Sequence, residues 1–345
     1  MMKRLSTEIL GFVFTAVLLT TGLRWMSNQF APVYSLEKYR VKQLLARANE
    51  IEAISLGHSL NRALDFKELQ LKGYHLWDPG SDYFEVDYQL RALAPRLPNL
   101  KVVFIPLGSS CFFVDNGLIR HKHERRRRCY AVTPLLVPRP IHGDRKNLVA
   151  GMLSDIVRPD HWKGVFETMA FATVEPESRN ASKVDEYGTV LRERIYKEAN
   201  QKLLQKAIRY LQKAFENEEE KVYRENPKIP EKIYQTLASL VKYLRERKVR
   251  VIFYLPPFTD IFNEKVRQDQ NVIAYERTAE SYIQRLVENF GVEYYDFSHD
   301  SSFVHNYSYF IDPHHLNVKG AEIFSRKLWS TCGLPVVPAG QSAGR

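Results

Sequence analysis

The chain has 345 residues, 44% of them apolar and 26% charged, and a formal net charge of +10. That balance supports one large or two small packed domains and excludes wholesale disorder. The positive charge suits an anionic neighbour such as lipid headgroups or an acidic polymer, and no nucleic-acid-binding motif accompanies it.

Lys3 and Arg4 precede an apolar run from Ile9 to Leu23 that carries no charge. The run is short for a spanning helix and long for a buried one, and no small-x-small cleavage site follows it. Trp25, just beyond it, suits a membrane interface. The pattern predicts an uncleaved signal anchor within residues 1–30, with a cleaved signal or a buried core helix as the alternatives. The positive charges before the run would hold the N-terminus in the cytoplasm and leave the remainder of the chain outside.

Residues 35–50 carry Tyr39, Val41, Leu44 and Leu45 at helical spacing, so a helix is expected to feed the first strand. The apolar run Ala53-Ile54-Ser55-Leu56 then stops at Gly57, and Ser59 follows. It reads as a buried strand that delivers Ser59 to the carboxyl edge of a sheet, where open α/β folds place their sites. A second strand is expected over Tyr74-His75-Leu76-Trp77, ending at Asp78-Pro79-Gly80. A helix over 82–96, with Tyr83, Val86, Leu90 and Leu93 on one face, and a third strand at 101–107 complete a βαβ rhythm.

Between about 112 and 182 the periodicity is lost. The densest charge in the chain lies here, in His121-Lys122-His123-Glu124 followed by Arg125 to Arg128. It reads as a solvated loop, or as a docking patch for anionic lipid or polymer. His121 and His123 alternate as metal ligands could, but no third ligand stands near them in the sequence. Helical periodicity returns over 183–221 and again after Pro230, through Ile233, Leu237, Leu240, Val241 and Leu244. This pair of helices would pack on the sheet or cap the site.

A strand at Arg250–Leu255, a helix over 274–290 closed by Gly291, and a last strand at 292–297 follow. Beyond them comes Asp312-Pro313-His314-His315-Leu316-Asn317, and a helix is expected over 318–331, stopped by Gly333 and Pro335. Cys111, Cys129 and Cys332 follow no metal-ligand spacing and allow at most one disulfide. No internal repeat or glycine-rich phosphate loop is present.

An Asp three residues before a His can bond the imidazole Nδ1–H, which leaves Nε2 free to take a proton from a hydroxyl nucleophile. Asp312 and His315 have that spacing. His314 is one residue off it, and an exchange of roles between the two histidines stays open. Ser59 at the end of the first strand is the nucleophile candidate, and its neighbour His58 would either add a donor or point away. Each motif alone is common, and Ser59 could simply cap the helix after it. Their joint weight comes from position, because the loops after the first and last strands of a doubly wound sheet can meet at one edge.

Gly57-His58-Ser59 with Asp312-Pro313-His314-His315 resembles the first and last sequence blocks of the SGNH (GDSL-like) esterase superfamily, with His58 where that family usually has Asp. Gly80 falls where the second block supplies an oxyanion N–H. Gly108-Ser109-Ser110-Cys111 falls at the third block, with Ser110 in place of the usual Asn. The matched segments cover 50–110 and 249–330.

The resemblance implies an α/β, three-layer flavodoxin-like (SGNH) fold: a central parallel sheet in a domain at 31–335, interrupted by an inserted helical segment at about 112–248. A disordered tail at 336–345 would follow. It implies catalysis by Ser59, Asp312 and His315, an oxyanion site at Gly80 and Ser110, and no metal or organic cofactor.

The likeness is strongest to membrane-anchored members that act in O-acetylation of surface polysaccharides or D-alanylation of teichoic acids. The expected activity is therefore acyl transfer to a cell-surface polysaccharide, facing the periplasm or cell exterior. The expected partners are the membrane, a polymer acceptor and a multi-spanning membrane acyltransferase as acyl donor, with no nucleic acid. A carboxylesterase or deacetylase, an inactive polysaccharide-binding scaffold, and a basic membrane-associated adaptor are the other readings.

Overall fold

The computed structural model describes residues 36–77, 80–119, 122–132, 141, 144–157, 186–187, 225–268 and 270–335, with 15, 19 and 22 as isolated points. Most of the apolar run at 9–23, the helical pattern at 183–221 and the tail at 336–345 therefore lie outside the described residues. Among the described residues, no helix is long and apolar enough to cross a membrane.

Five strands form the sheet: β1 (Ala53–Gly57), β2 (Gly73–Trp77), β3 (Val102–Pro106), β4 (Arg250–Leu255) and β5 (Glu293–Asp296). All pair in parallel, in the order β2-β1-β3-β4-β5. This is the order of a flavodoxin-like doubly wound sheet.

Side chains alternate along each strand, so a sheet covered on both sides feeds two cores. Ile54, Leu56, Val103, Ile105, Val251 and Phe253 enter one of them. There they meet α1 (Leu36–Ala46), α2 (Tyr83–Leu93), α5 (Ile229–Glu246) and α7 (Gln270–Phe290). The alternate residues Ala53, Val102, Phe104, Ile252 and Tyr254 enter the other core, against Phe324, Leu328 and Trp329 of α8 (Val318–Thr331). The result is a three-layer α/β structure, as the strand and helix rhythm predicts.

The expected stripes are the buried ones. Ile233, Leu237, Leu240, Val241 and Leu244 of α5 are all fully buried, so this helix packs on the sheet. Gly291 closes α7 at a φ of +51°, with its N–H on the Val287 carbonyl, as expected of a C-cap.

Two features depart from the sequence reading. The segment after β3 is not irregular throughout. It contains α3 (His123–Val132) and α4 (Arg145–Val157), which pack against each other. The arginine run is helical rather than a loop, and Arg126 within it is 1% exposed among Asp82, Glu85 and Asp115. The reason is pairing with carboxylates distant in the sequence. A short helix, α6 (Asp260–Gln268), and a two-stranded antiparallel pair, β6 (Phe310–Asp312) and β7 (His315–Leu316), are additional.

Candidate active site

In a 2-1-3-4-5 sheet the chain reverses direction between β1 and β3, and a crevice opens at their carboxyl ends. Gly57 ends β1 at a φ of +150°, where an added Cβ would lie 2.7 Å from the Pro106 ring at the end of β3. Glycine lets the two strand ends close on each other there. The next residues, His58 and Ser59, leave the sheet into a 3-10 turn over Ser59–Ala63, so Ser59 stands half-buried at the edge the sequence pattern assigned to it.

That turn is anchored from below. Tyr254 Oη on β4 donates to Asn61 Oδ1 at 2.8 Å, and the Ser55 hydroxyl of β1 donates to the same oxygen. Ser55, Asn61 and Tyr254 are all fully buried, so the nucleophile candidate sits on a rigid polar footing rather than on a free loop.

The motif loop faces this turn, because β7 packs against Ser59–Ala63. Asp312 and His315 pair at the ends of the β6–β7 turn. Asp312 Oδ2 accepts from His315 Nδ1 at 2.8 Å, and Oδ1 accepts from the backbone N–H groups of His314 and His315 at 3.1 and 3.0 Å. Burial alone would raise the Asp312 carboxyl. The His315 bond, the neighbouring imidazoles and the backbone donor outweigh it and hold the group well below the usual carboxylate range. The ionised carboxylate thus fixes the His315 tautomer and leaves Nε2, which is buried and has no hydrogen-bond partner among the described residues.

Asn317 and Gly320 are structural parts of the same motif. Asn317 caps α8 by accepting from the Gly320 N–H at 3.0 Å, and its Nδ2 donates to the Ser308 carbonyl at 2.6 Å. A Cβ on Gly320 would lie 2.2 Å from the Tyr309 carbonyl oxygen, so only glycine fits under that turn.

Two further imidazoles crowd the centre. His58 is 5% exposed, and its Nδ1 accepts from the Leu60 N–H at 3.4 Å while the ring also meets the Pro106 backbone. Burial first, and then the nearby His315, lower it from 6.5 to about 4. Burial and His315 likewise lower His314 to about 3, against the pull of Asp312. Both are neutral near pH 7. Asp312 therefore selects His315 as its partner, since His314 Nδ1 stands off at 3.4 Å.

The oxyanion candidates are placed less completely. Gly80 turns at a φ of +80° on the loop after β2, the neighbour of β1, and its carbonyl accepts from Asn116 Nδ2 at 3.0 Å. Gly108 follows β3, and a Cβ there would come within 3.8 Å of the His58 ring, so the third block does border the Ser59 turn. The Gly108 N–H is occupied by Tyr83 Oη at 3.1 Å. Ser110 lies in the 3-10 turn Ser109–Phe113, and its side chain is outside the described residues.

Behind Gly80 lies a network that the sequence reading did not anticipate. Arg126 donates to Asp82 Oδ2 at 2.7 Å, to Glu85 Oε1 at 3.0 Å and to Asp115 Oδ1 at 2.9 Å. Asn116 Nδ2 bridges the Gly80 carbonyl and Glu85 Oε2. Burial opposes the Arg126 charge, but the three carboxylates prevail and raise its pKa further above its ordinary value. Asp82 and Glu85 also form a capping box at the start of α2. Asp-x-x-Glu before an apolar helix was the one legible sign of this network.

Asp312, His314 and His315 can each offer a ligand atom, all within 4.8 Å of one another, and so are the described residues that could hold a metal ion. No protein-family model matches the chain, and no curated protein matches it in sequence.

Proposed function

We propose that the chain is a membrane-anchored serine acyl-transfer enzyme of the SGNH type, which acylates a cell-surface polysaccharide through Ser59, His315 and Asp312. One observation carries this reading. His315 is bound at Nδ1 by an ionised carboxylate, keeps Nε2 unengaged, and belongs to a strand that packs on the turn opened by Ser59.

In this scheme His315 Nε2 takes the Ser59 proton as Oγ attacks an ester carbonyl. The backbone N–H groups of Ser59 and Gly80 bind the oxyanion, such donors being worth about 3 kcal/mol each. His315 then protonates the leaving alkoxide, and a sugar hydroxyl or water resolves the acyl-enzyme. Asp312 orients the ring and stabilises the imidazolium. The scheme calls for no cofactor.

The transferase half of the proposal draws on the apolar run behind Lys3 and Arg4, which would tether the domain beside the surface, and on the net +10 charge, which would hold an anionic chain nearby. A multi-spanning acyltransferase would then supply the acyl group. A second reading, a polysaccharide-binding scaffold without turnover, draws on the lack of a Ser59–His315 hydrogen bond. Such bonds are commonly loose before substrate arrives, which favours the enzyme.

The test is to acetylate the protein with a chromogenic acetyl ester and offer oligosaccharides of uronic acid or neutral sugars. Acetyl transferred to sugar, and lost in Ser59→Ala, is the expected result. Rapid acetate release that no sugar diverts would make the protein an esterase. No turnover at all would favour the scaffold.

A further inference from the structure

We propose that Asp312, His314 and His315 bind one divalent transition-metal ion of the Zn2+ class, and that the ion and the Ser59 reaction exclude each other. The second half rests on the acyl-transfer reading above; the first half does not.

The three donors already converge. One Asp312 oxygen stands 2.8 Å from His315 Nδ1, and the other stands 3.4 Å from His314 Nδ1. The imidazoles of His314 and His315 have ring centroids 4.0 Å apart, tilted by 43°. Ligands around a tetrahedral zinc, at bonds of roughly 2.0–2.1 Å, stand roughly 3.3 Å from one another. The spacing here, within 4.8 Å throughout, closes on that geometry with small side-chain rotations.

An acyl-transfer triad has no use for His314, yet its Nδ1 is buried and has no hydrogen-bond partner among the described residues. An unsatisfied buried imidazole nitrogen carries a cost, and a metal ion removes it. A further imidazole lies on the facing turn: His58 is 5% exposed. Two imidazoles and one carboxylate form a borderline donor set that favours zinc, nickel or copper over magnesium or calcium.

Exclusion follows from the imidazole itself. A neutral histidine coordinated through Nδ1 must carry its single proton on Nε2. On metal binding the His315 Nδ1 proton leaves, a proton is taken up at Nε2, and the Asp312 hydrogen bond is replaced by a bond from Asp312 to the ion. Nε2 then donates rather than accepts, so it cannot receive the Ser59 proton. The site is thus a metal-sensitive brake built from the residue beside the general base.

The experiment uses the full-length chain in detergent, stripped with EDTA and titrated with zinc by calorimetry. One site with a micromolar or tighter Kd is expected, weakened roughly 100-fold in His314→Ala and in His314→Gln. The two variants are compared by their melting temperatures so that an unfolded one is set aside. In parallel, a fluorophosphonate is added with and without zinc. Zinc should block labelling of the wild type, EDTA should restore it, and His314→Ala should label equally in both conditions. Zinc affinity unchanged in both His314 variants, or no binding, overturns the site. Binding with undiminished labelling overturns the exclusion. If nothing labels even without zinc, the acyl-transfer reading fails while the calorimetry still decides the metal site.

Discussion

The motif loop and the Arg126 cage are both built from carboxylates and a nitrogen base, and they lie at the same end of the sheet. In the cage, Arg126 is 1% exposed and every side chain around it is committed: Asp82, Glu85 and Asp115 each receive one of its N–H groups. In the motif loop, Asp312 is 33% exposed, and it fixes only one nitrogen of a two-nitrogen ring. The first cluster has spent its bonding capacity on holding the Gly80 loop and α2 together. The second retains, among the described residues, an unspent nitrogen on His315 and beside it one on His314. Buried polar groups are normally satisfied, so two orphaned imidazole nitrogens in one place mark where chemistry or a ligand is to be sought.

If that contrast holds, the two clusters should break in different ways. The largest effect belongs to His315→Ala, which should lower kcat/KM for a chromogenic ester by roughly 10^3 to 10^4-fold while the melting temperature stays within a few degrees. Arg126→Met should act first on stability. It strands three carboxylates in a buried site and should cost about 3–5 kcal/mol of stability by urea denaturation. A large loss of stability in His315→Ala, or none in Arg126→Met, would erase the distinction.

The clusters should also differ in their response to acid. His58 is lowered from 6.5 to about 4, so below pH 6.5 the unfolded chain binds a proton that the folded one refuses. Its contribution to stability is present above that range and is lost as the pH falls toward 4, by at most about 1.4 kcal/mol per pH unit. His58→Gln should flatten the wild-type slope over that window, read as the difference between the two denaturation curves at each pH. Arg126 stays charged throughout, but burial and the nearby Asp82 raise Glu85 in the cage from 4.5 to about 8, so the cage's slope has the opposite sign: its contribution is present at low pH and is lost as the pH rises toward 8. The smallest effect is that of Asn317→Ala, which removes the α8 cap and should cost about 1 kcal/mol without changing the chemistry of His315.

The same contrast explains what could be read from the sequence. The sheet strands are short apolar runs, and α5 and α8 carry wide apolar stripes, so their local pattern alone locates them. Asp312 and His315 are three residues apart, and a spacing that short survives as a sequence signal. The Arg126 cage does not, because Arg126 meets Asp82 and Glu85 from more than forty residues away. Arg126, one of a run of four arginines, looks solvated until its carboxylates are found. Asn116, which holds the Gly80 carbonyl, has no local signature either, and β6 and β7 are too short to show a period of two. Ser110 stood in the expected place for a third oxyanion donor, but the Gly108 N–H beside it is tied to Tyr83, a contact no spacing could reveal.

Labelling with a fluorophosphonate, followed by peptide mass spectrometry, tests the central claim most directly. A single adduct on Ser59, formed by the wild type and lost in Ser59→Ala and strongly slowed in His315→Ala, is the result this account predicts. An adduct on another residue, or labelling that survives Ser59→Ala, would contradict it.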